Sequence, residues 1–85
     1  MKKIIDGVTY DTDKDEFLFG YRAMLFTSYY YKMKNGDYYE YKIIGLSIII
    51  HPVTEEQIAT LGRSILKRNT LWLSKPSERA LKYGI

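Results

Sequence analysis

The stretch Tyr29-Tyr30-Tyr31-Lys32-Met33-Lys34-Asn35-Gly36-Asp37-Tyr38-Tyr39-Glu40-Tyr41 decides the fold. Asn-Gly between two β-rich runs is the strongest short-range hairpin signal, because the tight turn needs φ > 0 and few residues tolerate it. The run before the turn, Tyr21–Met33, is aromatic and β-branched and contains no Gly or Pro; the run after it, Asp37–Ile50, is again β-rich. A two-residue loop at 35–36 predicts Lys34 opposite Asp37, Lys32 opposite Tyr39, Tyr30 opposite Tyr41 and Phe26 opposite Gly45. Such a hairpin is apolar on both faces at its root, and its tip carries tyrosine and charge on both faces. The expectation is a root in the core and a tip that projects outward.

Outward from the hairpin, His51-Pro52 is expected to stop the second strand, since proline has no N–H for the ladder. Thr54-Glu55-Glu56-Gln57 is a capping box. Ile58, Leu61, Ile65 and Leu66 follow at helical spacing and predict an amphipathic helix packed on the hairpin root. Upstream, Asp6-Gly7 between short β-formers predicts a small hairpin. Asp11-Thr12-Asp13 ahead of Asp15 and Glu16 reads as the cap and first turn of a short helix near 13–19, ended by Gly20. Thr70–Leu73 reads as a short strand or a continuing turn, and Pro76–Tyr83 as a second short helix. The fold class is therefore α+β. It comprises an antiparallel sheet of three to five strands on a long central hairpin (about 21–50). One main helix (about 54–68) packs on it, with short helices near 13–19 and 76–83.

Composition narrows the function classes. The chain has 85 residues, enough for a single domain over 1–85 with a thin core. It has no cysteine and one histidine, which removes disulfides, thiolate zinc sites, a cysteine nucleophile and multi-histidine metal sites. No apolar run approaches the ~20 residues of a membrane span. The charged N-terminus does not resemble a signal peptide, so the expected location is the cytoplasm, with no membrane partner. Asp11, Asp13, Asp15 and Glu16 form the one carboxylate cluster. It lacks the glycine and glutamate of a calcium loop, so it reads as turn and capping chemistry rather than a metal site. His51 has no sequence neighbour that would make it a catalytic base. The expectation is a non-enzyme with no cofactor and no metal.

Two features point to binding. Nine residues are tyrosine, and the set Tyr29, Tyr30, Tyr31, Tyr38, Tyr39 and Tyr41, interleaved with Lys32 and Lys34, is the candidate partner surface. Tyrosine offers wide contact area and a polar tip at low entropy cost. A domain with one helix would cover only one face of the sheet, leaving tyrosines for a partner or a second copy of the chain, a homodimer. The second feature is the basic C-terminal end. Residues 57–85 carry Arg63, Lys67, Arg68, Lys75, Arg79 and Lys82 against Glu78 alone, a candidate nucleic-acid contact patch.

The order of motifs resembles a family of small phage and mobile-element proteins of the anti-CRISPR type. Gly7-Val8-Thr9-Tyr10-Asp11-Thr12 matches its "G-x-x-YDT" opening, with Asp15 standing where that family has a small residue. Tyr31–Tyr41 matches its "L-Y-x-x-K-x-G-x-Y-F-x-Y" hairpin, and Ile50–Ile58 its "I-x-P-(L/V)-(S/T)-E-E-x-(A/I)" helix entry. The resemblance implies a phage-encoded inhibitor that sterically blocks a CRISPR effector protein or complex, with guide RNA as an additional contact, in the bacterial host cell. The alternative reading is a small nucleic-acid-binding regulatory module.

Overall fold

The computed structural model describes residues 2–67 and 72–73. Strands β1 (Lys2–Ile5) and β2 (Val8–Asp11) form a separate hairpin. Its turn residues Asp6 and Gly7 both have positive φ, 51° and 78°, as a type I′ turn requires. Strands β3 (Glu16–Arg22), β4 (Thr27–Lys32), β5 (Tyr38–Ile44), β6 (Ser47–Val53) and β7 (Trp72–Leu73) form an antiparallel sheet in the order β6-β5-β4-β3-β7. Helix α1 (Glu55–Lys67) follows β6. Its N-terminus is closed by the expected capping box, with Gln57 N–H donating to Thr54 Oγ1 at 3.1 Å and Thr54 N–H to Gln57 Oε1 at 2.8 Å. The antiparallel α+β class holds.

Four details depart from the sequence expectation. Residues 13–19 are not a helix. Asp11 Oδ1 accepts the amides of Asp13 and Lys14, and Asp15 Oδ2 accepts the Asp11 amide, so the aspartates close a turn onto which β3 follows directly. The run 21–50 holds parts of four strands, β3 to β6, rather than two arms. The chain reverses between Ala23 and Phe26, whose N–H and C=O pair at 2.8 Å, and again at Gly45, φ 57°. The 33–37 loop is one residue longer than expected. Gly36 N–H reaches Met33 C=O, Met33 N–H reaches Asp37 C=O, and Gly36 lies at φ 95°. This is a type I turn closed by a left-handed glycine, and it pairs Lys32 with Tyr38, Tyr31 with Tyr39 and Tyr29 with Tyr41. Finally, β6 runs through His51 and Pro52 to Val53. As the outer strand it can hold a proline whose missing N–H faces away from the ladder. The segment 76–83 lies outside the described residues.

The corrected register sorts the side chains onto two faces. On one, Tyr29 and Tyr31 of β4 meet Tyr39, Tyr41 and Ile43 of β5, and the small hairpin covers them with Tyr10 and Ile5. Tyr39 is edge-on to Tyr10 at 4.9 Å between centroids and stacked on Tyr31 at 5.3 Å. On the other face, Phe19 and Tyr30 pack against Leu18, Tyr21, Val53 and the helix residues Ile58 and Leu61. A β-bulge between Phe17 and Phe19 lets β3 serve both faces. Phe17 turns to Tyr31 and Phe19 to Tyr30, where a regular strand would place both on one side. The small hairpin thus supplies the second layer that one helix could not.

This overturns the projecting tyrosine tip. Tyr31, Tyr39 and Tyr41 are 0% exposed, and Tyr29 and Tyr30 are buried. At Gly20 an added Cβ would stand 2.6 Å from Tyr29 Cδ1 and 3.1 Å from the Ser28 carbonyl. The Tyr29 ring therefore lies against bare backbone. Gly20→Ala should cost ~1–3 kcal/mol in chemical denaturation, and Tyr41→Ala ~3–5 kcal/mol. Tyr31 Oη is buried with no hydrogen-bond partner among the described residues, whereas Tyr39 Oη donates to Asp15 at 2.9 Å. Tyr31→Phe should accordingly leave stability unchanged or raised, while Tyr39→Phe lowers it by ~1 kcal/mol.

Candidate functional site

The turn at Gly45 sets β5 against β6 so that Glu40 faces His51, and the β4–β5 register sets Glu40 beside Tyr30. All three point to the helix side of the sheet. Glu40 is 4% exposed. Its Oε2 accepts the hydroxyls of Ser28 at 2.8 Å and Tyr30 at 2.6 Å; its Oε1 meets His51 Nε2 at 2.5 Å and Lys42 Nζ at 3.6 Å. A carboxylate without partners at this depth would be strongly disfavoured. Burial does push the Glu40 pKa up, but the hydrogen bonds from Tyr30, Ser28 and His51 and the Lys42 charge outweigh it and hold the carboxyl below its ordinary range. The Tyr30 phenol moves the other way, raised by burial and by its bond to Glu40.

His51 Nδ1 lies 3.2 Å from the Pro52 carbonyl. Carboxylate and carbonyl are both acceptors, so each ring nitrogen of His51 faces an acceptor. His51 and Lys42 border a solvent-open groove of about 530 Å³ between sheet and helix, walled by Tyr21, Gln57, Thr60 and Leu61. The Ser28 hydroxyl donates to Glu40 rather than to His51, so these two side chains form no serine–histidine relay. The arrangement holds Lys42 and His51 against the Glu40 carboxylate at the groove mouth.

The predicted partner-binding residues are dispersed. Tyr29, Tyr30, Tyr31, Tyr39 and Tyr41 form the core; Lys32 and Tyr38 are half-buried, with Lys32 Nζ 5.7 Å from the Tyr38 ring centre; Lys34 is exposed in the turn. Arg63 is exposed on α1 and Lys67 is its last residue. Arg68, Lys75, Arg79 and Lys82 lie outside the described residues. Among the described residues no cluster of three or more His, Asp or Glu side chains is arranged to hold a metal ion, and none of the helices is long and apolar enough to cross a membrane.

Sequence reasoning missed two things. One is the Glu40–His51 pair, which Gly45 read as a turn would have placed opposite one another. The other is an apolar end of the sheet. Met24, Leu25 and Leu46 are 97%, 79% and 101% exposed. They sit on the β3–β4 and β5–β6 turns, at the same end of the sheet. A recess of about 280 Å³ that includes Arg22, Met24, Leu25, Ile43 and Gly45 joins these turns. Compared with protein-family models, curated proteins and solved structures, the chain matches none.

The pH dependence follows from Glu40. With its folded pKa below the unfolded value, its stabilisation is present above the ordinary glutamate range and is lost as pH falls through the folded value. Glu40→Ala should cost ~3–5 kcal/mol at neutral pH by stranding Ser28, Tyr30 and His51. In urea titrations over a pH series, Glu40→Gln should flatten the acid limb of the wild-type stability curve; an unchanged limb would assign it to other carboxylates.

Proposed function

We propose that the chain is a stoichiometric binding protein rather than a catalyst, that its interface is the apolar end formed by the two turns, and that its partner is a CRISPR effector complex. The exposure of Met24, Leu25 and Leu46 carries the reading. Single exposed apolar side chains are ordinary, but three large ones presented on neighbouring turns of so small a domain favour a partner surface. The partner class rests on the resemblance of the opening, the hairpin and the helix entry to anti-CRISPR proteins. The non-catalytic reading is supported by the site itself, where the Glu40 oxygens are engaged by Ser28, Tyr30 and His51. The nucleic-acid alternative is less favoured, since five of the six hairpin tyrosines that would stack on bases are buried.

The test is binding to, and inhibition of, a panel of purified CRISPR effector complexes. One complex should be bound and blocked at unit stoichiometry. A Met24→Asp/Leu25→Asp/Leu46→Asp variant should keep its circular dichroism and melting temperature and lose binding by ~100-fold or more. A wild type that binds none of the panel overturns the partner assignment. Binding only to RNA or DNA, falling steeply with salt, would establish the alternative.

A further inference from the structure

Strand β6 is an outer strand of the main sheet. Among the described residues it closes the sheet on one side, while the opposite outer strand, β7, has two residues. Its pairing with β5 is continuous from Tyr38↔Val53 to Ile44↔Ser47, with no bulge. The outer edge is therefore a straight row of backbone donors and acceptors. Proteins ordinarily blunt such an edge with lysine, inward-pointing charge, a bulge or proline. The strand Ser47-Ile48-Ile49-Ile50-His51-Pro52-Val53 holds no Lys, Arg, Asp or Glu, and its one proline stands near the end. Ile49 is 45% exposed on the helix side. Ile48 and Ile50 are half-buried against the tyrosine cluster on the other face.

We infer that β6 pairs antiparallel with β6 of a second copy of the chain about a two-fold axis at Ile49, extending the sheet across the dimer. The sequence is complementary to itself about that point. Ile49 meets Ile49 of the second copy, Ile48 meets Ile50 and Ser47 meets His51, so no like charges are opposed along the strand. Pro52 falls just outside the five paired residues 47–51, where its missing N–H breaks no inter-chain bond. A two-fold contact of this kind is closed, which fits a dimer and not a fibre. Five residues a side is small against the ~800 Å² per partner of a standard interface. The dimer is thus weak and concentration-dependent. The inference stands whether or not the apolar end binds a partner.

Sedimentation velocity over a concentration series tests it on the full chain. The wild type should pass from monomer to dimer as concentration rises. Ile49→Lys, which sets two ammonium groups against each other across the axis, should remain monomeric. Ile49→Glu alone should also be monomeric, and an equimolar mixture of the Lys and Glu variants should recover the dimer. A wild type monomeric throughout, or an Ile49→Lys variant that dimerises like wild type, overturns the inference. Amide hydrogen exchange on the wild type keeps the test open if the variants fail to fold. Protection of residues 47–51 that grows with concentration supports the pairing. Protection that is constant with concentration means the edge is covered by the chain's own residues or not at all, and refutes it.

Discussion

The loop from Lys34 to Gly36 sets the phase of every strand pair that depends on it. With three residues between Met33 and Asp37, odd-numbered residues of β4 face odd-numbered residues of β5. Tyr29, Tyr31, Tyr39 and Tyr41 then share one face, and Ser28, Tyr30, Glu40 and Lys42 share the other. With two residues in the loop, each tyrosine face would be mixed with charge, and neither could be buried without unpaired ions. Because the side-chain period of a strand is two, one loop residue decides between those outcomes. Gly36 at φ 95° makes the longer loop accessible.

The segregation has an electrostatic consequence. The tyrosine face closes under the small hairpin with few polar obligations, chiefly the Tyr39–Asp15 bond. The other face must accommodate Glu40, and it does so by bringing donors from the two flanking strands, β4 and β6, to one carboxylate on β5. Such a network ties β4, β5 and β6 together with directional bonds, which non-directional ring packing cannot do. Among the described side chains, the helix contributes Ile58 and Leu61 to the apolar margin beside it.

Much of this was legible in the sequence, where local chemistry suffices. Asp6-Gly7, the Thr54–Gln57 capping box, the apolar spacing of Ile58 and Leu61 and the existence of a hairpin at Asn35-Gly36 all depend on a few adjacent residues. The parts that were not legible depend on long-range choices. The carboxylates of Asp11 and Asp15 suit a helix cap and a tight turn equally well, and the aromatics that follow settle the matter only once they have β4 to pack on. The bulge at Phe17–Phe19 has no local signature, since it exists to divide two phenylalanines between two faces. Tyrosine is read as an interface residue or a core residue according to what covers it, and the covering hairpin lies some twenty residues away. Glu40 and His51 are eleven apart and meet only if Gly45 is a turn rather than part of a strand.

The connectivity of the main sheet also bears on how the chain finds its structure. β3, β4, β5 and β6 pair in the order in which they occur, each joined to the next by a short reversal. Every such step closes a small loop, so its entropic cost is low and the four strands can zip one after another. The pairing of Gly20 with Leu73 is of a different kind, because it draws together segments separated by the rest of the sheet and the helix. By contact order the pairings of the meander should form faster than the pairing of β3 with β7.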